Sequence, residues 1–178
     1  MPDTLPLQKF TTTYSESQDR IQLAGKSNEN AYTTVWLSRR LLIRMLPPVI
    51  NWAEQITSAN QPLSNEGQAL AQDFAQQNAQ SQLVKQAPVT TPEETHLSDN
   101  EAHNSWLALE IDIVKSRQLL KLVFKDIQEK SSSLHLNNIQ TRQWLFIIYS
   151  QWIKAEWEDF GWPLWIKAPK QKPSGDIH

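Results

Sequence analysis

The sequence predicts an α+β protein made of two β-β-β-α units, antiparallel strands followed in each unit by a long amphipathic helix, with a polar Gln-rich insert between them. Three observations predict it. Short β-prone segments recur at hairpin spacing on both sides of the middle of the chain. Each group of three runs into a capping residue and a broad apolar helical face, at 33–56 and again at 132–157. Between the groups, residues 59–104 are dominated by Gln, Asn, Ala, Ser and Thr.

Residues 1–7 carry two prolines and no apolar period, so a loose terminus is expected. The segment 8–14 is rich in Thr with Phe10 and Tyr14, a composition suited to a pleated, half-buried surface. A polar turn at 15–19 follows. Residues 20–24 alternate polar and apolar (Arg20, Ile21, Gln22, Leu23), as a strand with one buried face does. GKSNEN at 25–30 reads as a turn, and 31–37, with Tyr32, Val35 and Trp36, as a third strand. Ser38 then stands where its hydroxyl can accept from the unpaired N–H groups of a first helical turn. The helix places Leu41, Leu42, Met45, Leu46, Val49, Ile50, Ala53 and Ile56 on one face, opposite Arg39, Arg40, Arg44, Asn51 and Glu54. Pro47 and Pro48 remove two backbone donors from its interior, so a kink or two helices in series is expected.

The insert sets Lys85 against Glu66, Asp73, Glu93, Glu94, Asp99 and Glu101, a net charge of −5. One marginal helix at 66–86 is expected there, with a thin apolar face of Leu70, Phe74, Leu83 and Val84, then a loop over 87–104. A weakly apolar, acidic stretch buries little surface to offset the entropy of ordering. From 105 the pattern repeats. WLALEIDIV at 106–114 alternates as one long strand, 119–125 is a second strand and 132–136 a third. Asn137 or Asn138 caps a helix expected to end near residue 158, with Trp144, Leu145, Ile148, Tyr149, Trp152 and Ile153 on its apolar side. FGWPLWI at 160–166 is an aromatic stretch broken by Gly and Pro, and 167–178 is a polar tail, expected to be mobile. The units align without gaps at an offset of 99, with Val35 on Leu134, Leu37 on Leu136, Ser38 on Asn137, Leu46 on Leu145 and Ala53 on Trp152. That pattern suggests an internal, pseudo-symmetric duplication. The expected organisation is one domain over 1–178, with units at 8–58 and 105–166.

A chain of 178 residues, 39% hydrophobic, suffices for one core. A net charge of −2 argues against a dedicated nucleic-acid or membrane-surface protein. Absence of cysteine excludes a thiol nucleophile, disulfides and thiolate metal sites. The first residues do not read as a secretory leader, and no apolar run approaches a membrane span, so a soluble cytoplasmic protein is expected. The four glycines are scattered and form no phosphate-cradling loop. His96 and His103, with Asp99 and Glu101 between them, match no metal-site spacing. Ser131–Ser133 lacks the glycines of a strained nucleophile turn. Glu110 and Asp112 project together from one strand face, without the apolar pocket that marks a general acid. No catalytic residue, cofactor or metal is therefore expected.

Two features point to binding. Arg39, Arg40 and Arg44 of the first helix, with Arg142 and Lys154 of the second, form a basic strip if the units are related by symmetry. Five of eight tryptophans fall between 144 and 165, and Trp157, Trp162 and Trp165 lead into Lys167, Lys170 and Lys172. Such rings pack a core edge or anchor an interface. The first expectation is a non-catalytic protein-interaction module, dimeric through its Trp-rich C-terminal region. The alternative is a nucleic-acid-binding accessory protein using the same Arg, Lys and Trp residues. A second alternative is an enzyme with carboxylates in a cleft between the units.

Overall fold

The computed structural model describes residues 4, 6–27, 32–59, 64–86 and 104–167. Strands β1 (Leu7–Ser15), β2 (Arg20–Ser27) and β3 (Tyr32–Leu37) lead into α1 (Arg39–Ser58), and α2 (Asn65–Gln86) follows. Strands β4 (Asn104–Leu107), β5 (Glu110–Lys115), β6 (Leu120–Lys125) and β7 (Ser131–Leu136) lead into α3 (Asn138–Lys154) and a single turn, α4 (Leu164–Lys167). The protein is α+β, with a four-stranded sheet in the order β1-β2-β3-β4 and a three-stranded sheet in the order β5-β6-β7.

The long strand expected over 106–114 is two strands in two sheets. The Ala108 N–H donates to Trp36 O at 3.0 Å, and the next N–H, of Leu109, donates to Lys125 O at 2.8 Å. β4 thus runs parallel to β3, while β5 runs antiparallel to β6. Alternation reports which face is buried; it carries no information about which neighbour each end of a strand takes. At the other edge Pro6 bridges Ser133 in parallel, and the Thr4 and Ser131 hydroxyls lie 3.0 Å apart. The two sheets are therefore joined at both edges, which leaves less unpaired backbone than two open sheets. The expectation of a loose terminus over 1–7 is corrected at Leu7, which is buried and opens β1.

The two antiparallel ladders share a register. Ile21 pairs with Leu37, and Leu120 with Leu136, each residue of the second pair standing 99 positions after its counterpart. The parallel contacts correspond likewise: Thr34 faces Ser105, and Ser133 faces Pro6. Both helices open on the expected cap. Ser38 Oγ accepts from Leu41 N at 3.2 Å. Asn137 Oδ1 accepts from Gln140 N at 2.9 Å while Gln140 Oε1 accepts from Asn137 N at 3.0 Å, a reciprocal capping box.

α1 runs unbroken through Pro47 and Pro48. Ile43 and Arg44, whose carbonyls lose their partners four residues on, are exposed, so water can supply the missing donors. α3 stops at Lys154, short of the expected end. Glu156 takes φ +55°, its N–H donates to Ile153 O at 3.0 Å, and the Trp157 N–H donates to Trp152 O at 3.3 Å. That is a Schellman closure with Glu156 at the left-handed position.

α1 packs on β5 and α3 on β1, so each long helix covers the first long strand of the other unit. One apolar cluster runs through both units, from Ile21, Leu23 and Val35 to Leu122, Leu134 and Trp144. α2 has the expected span, but of its expected apolar face only Leu83 lies on the inward side, half-buried. Gln72, Gln76 and Ala79 are buried, while Leu70, Phe74 and Val84 are exposed. Gln72 Nε2 donates to Glu54 O (3.0 Å), Gln76 Nε2 to Arg142 O (3.3 Å) and Gln143 Nε2 to Ala79 O (2.9 Å). Gln72 and Gln76 of α2 thus meet carbonyls of the surface it docks on, and Gln143 of α3 meets a carbonyl of α2 in return.

Candidate functional site

The structure does not bring the four arginines to one surface. Arg40 and Arg44 are exposed, and Arg39 pairs with Glu158 at 3.6 Å near the Trp152 ring. Arg142 is only 1% exposed, under α2. Its Nη2 donates to Thr57 Oγ1 (2.8 Å), Ala53 O (3.3 Å) and Gln72 Oε1, and its Nη1 to Gln72 O (3.4 Å). The guanidinium stacks 4.4 Å from the centre of the Trp165 ring. Among the described residues it forms no ion pair. Burial lowers its pKa to about 10, with the nearby Glu54 charge partly opposing. Arg142 Nε, Gln76 Oε1, Asn138 Oδ1 and Thr141 Oγ1 are buried without a partner on α2 and α3 at this junction.

The tryptophans serve an interface inside the chain. Trp36 Nε1 donates to Ser105 Oγ (2.8 Å), Trp52 Nε1 to Ser116 O (2.9 Å) and Trp144 Nε1 to Thr12 Oγ1 (3.1 Å). Trp157 Nε1 donates to Asp19 Oδ1 (2.9 Å) and Trp165 Nε1 to Glu54 Oε1 (2.8 Å). Each of these bonds joins the first unit to the second. Trp162 and Trp165 are buried and Trp157 is half-buried. Edge contacts of Trp152 with Trp157 and Trp162, at 4.9 and 5.7 Å between ring centres, tie the cluster together. The burial of Trp162, Trp165 and Arg142 withdraws them from any partner that meets the surface.

Two clefts on the strands take their place as candidate sites. The first, about 560 Å³, is lined by β1 and β2 with Lys9, Phe10, Thr11, Ala24 and Lys26, and by Tyr32; among the described residues no acidic side chain lines it. Its floor needs Gly25, where a Cβ would stand 2.7 Å from Lys9 O and 2.9 Å from Phe10 Cβ. The second, about 720 Å³, is lined by Leu109, Glu110, Asp112, Val123, Lys125, Asp126, Ile127, Glu129 and Ser131, with Thr4. Leu109 is 50% exposed and Ile127 85%. Asp112 holds Lys125 in an ion pair that raises the lysine pKa. Asp126 Oδ1 accepts from Gln128 N and Lys130 N, each at 2.8 Å, and so shapes the loop that presents Ile127 and Glu129. Glu110 and Glu129 form no ion pair among the described residues. Most lining positions of the clefts are 99 apart: Phe10 and Leu109, Thr11 and Glu110, Ala24 and Val123, Lys26 and Lys125, Ser27 and Asp126, Tyr32 and Ser131.

Sequence reasoning missed both clefts. The available signal was Ile127, a large apolar residue inside an otherwise polar loop. Among the described residues no three His, Asp or Glu side chains converge as metal ligands. His96 and His103 lie outside the described residues, as do Lys170 and Lys172. No helix of the described residues is long and apolar enough to cross a membrane. No protein-family model, curated protein or solved structure matches the chain.

Proposed function

We propose that the chain is a non-catalytic, cytoplasmic protein-interaction module, duplicated from a β-β-β-α unit, that receives a basic, apolar segment of a partner protein in the cleft over β5 and β6. The observation that carries this reading is the pair of clefts at equivalent positions with opposite charge. Among the described residues Lys9 and Lys26 line one without an acid, whereas four carboxylates and one lysine line the other. The shared ladder registers and matching caps support the duplication. Covering Leu109 and Ile127 with apolar side chains contributes roughly 1.5–3 kcal/mol for each one fully buried. Glu110 and Glu129 then orient and select a cationic segment.

Selection of displayed random peptides on the full chain tests the proposal. Binders enriched in Lys or Arg beside apolar residues are expected, weakening with salt and by roughly tenfold or more with Glu110→Lys plus Ile127→Glu. Acidic binders, or binding indifferent to those substitutions, would sink it. A second reading rests on Lys9 and Lys26 beside Phe10 and Tyr32, a basic and aromatic surface suited to stacking a single strand. It predicts salt-sensitive oligothymidylate binding that Lys9→Glu reduces. Absence of binding at low salt removes it.

A further inference from the structure

We infer that the outward stripe of α2 is a self-association surface, on which two copies of the chain pair their α2 helices antiparallel. The helix docks on its own chain through polar groups. Its inner stripe is Gln72, Gln76, Ala79 and Leu83, and the glutamines meet backbone carbonyls of α1 and α3. The opposite stripe is Leu70, Phe74, Gln77, Ser81 and Val84, whose alternating spacing of four and three is that of a coiled-coil seam. Leu70, Phe74 and Val84 are 61%, 73% and 76% exposed. A helix that served only its own core would carry these groups the other way round.

A second copy fits this stripe by charge. Glu66 and Asp73 lie in the first half of α2 and Lys85 in its last turn. Antiparallel pairing lays the Lys85 end of each helix beside the acidic half of the other and opposes the two macrodipoles; parallel pairing would bring like ends together. With Gln77 set against Ser81 of the second copy, Phe74 meets Val84 at both ends, so every contact occurs twice, as two-fold symmetry requires. A helix of 22 residues is about 33 Å long. In this register the two helices overlap over residues 72–86, about 22 Å, with Leu70 beyond the overlap, so the pair buries less than the roughly 1,000 Å² of a stable specific interface and the dimer is weak. α2 packs on α1, α3 and α4, away from the strand-lined clefts, so this surface stands or fails independently of the peptide site.

Sedimentation equilibrium of the full chain, from low to high micromolar concentration, tests the inference. A reversible monomer–dimer equilibrium is expected, weakened roughly tenfold or more by Phe74→Glu and likewise by Val84→Glu, with tryptophan emission unchanged and the melting temperature unchanged at concentrations where the parent chain is monomeric. The chain has no cysteine, so Gln77→Cys is a clean reporter. A short bis-maleimide should join two copies through it, and should not join copies carrying Asn65→Cys, which antiparallel pairing sends to opposite ends. A monomer at every concentration, a dimer indifferent to both glutamate substitutions, or cross-linking through Asn65→Cys overturns the inference.

Discussion

At the scale of single residues, Arg142 sets the position of α2 more than it stabilises the fold. Lowering its pKa to about 10 corresponds to roughly 3 kcal/mol against the buried charge. Four hydrogen bonds at about 1 kcal/mol each offset that with little to spare. Below about pH 10 folded and unfolded chains both carry the charge, so the penalty is constant. Above it the unfolded chain binds more protons, and this group's contribution to stability rises with pH. Arg142→Met keeps most of the buried side-chain volume but loses the stacking on Trp165 and strands Gln72 Oε1, and should cost about 1 kcal/mol; Arg142→Ala also opens a cavity and should cost about 3 kcal/mol. Urea titration of both variants checks the order, and an equal loss would show that the stem does not matter. Asp159 titrates at the other end of the scale. The Lys167 ammonium, then the Gly161 and Trp162 N–H groups, hold its carboxyl down at about 2. Its stabilisation is complete above the ordinary carboxylate range and is lost as pH falls towards 2. Asp159→Asn should therefore melt lower at neutral pH and show a shallower acid limb between about pH 4 and 2; identical acid limbs would contradict this.

At the scale of elements, two backbone positions make opposite predictions. Glu156 closes α3 in the left-handed region, where glycine has no Cβ to strain, so Glu156→Gly should raise stability by about 1 kcal/mol. Gly25 sits where β1 and β2 approach too closely for a Cβ, so Gly25→Ala should force the pair apart and lower the melting temperature, with loss of amide protection along β1 in hydrogen exchange. These elements also show what a sequence discloses. Ser38, and the choice of Asn137 or Asn138, were legible as caps because a cap is decided within four residues. The helix Asn65–Gln86 was legible in span from its Ala and Gln content. Its facing was not, because Gln72 turns inward only where Arg142 and the α1 carbonyls await it. The break after Leu107 was hidden for the same kind of reason: Ala108 and Leu109 answer to strands far away in the chain. The clefts are made by side chains from separate strands, whose proximity depends on register. The tryptophan cluster was visible, but its partners in the other unit were not.

At the scale of the whole molecule, neither unit completes itself. β4 is laddered onto β3, Pro6 is bridged to Ser133, α1 lies on β5 and α3 on β1. Five indole N–H groups cross the same boundary in both directions. Removing one such bond while keeping most of the ring, as in Trp36→Phe or Trp165→Phe, should cost about 1 kcal/mol, and the two losses should add because the sites share no partner. Removing all of them at once is a different matter. A fragment of residues 1–86 would expose the apolar faces of α1 and of the first sheet, and a fragment of 104–178 would expose α3 and leave β4 without its ladder. Half a core of this size falls below what offsets chain entropy. Each fragment alone should therefore lack a near-ultraviolet tryptophan signal and a cooperative melt. An equimolar mixture should regain both, because the indole bonds and the two parallel strand contacts can form between chains as well as within one. A cooperative melt from either fragment alone would mean that the units are independent domains and that the tryptophans only decorate their junction.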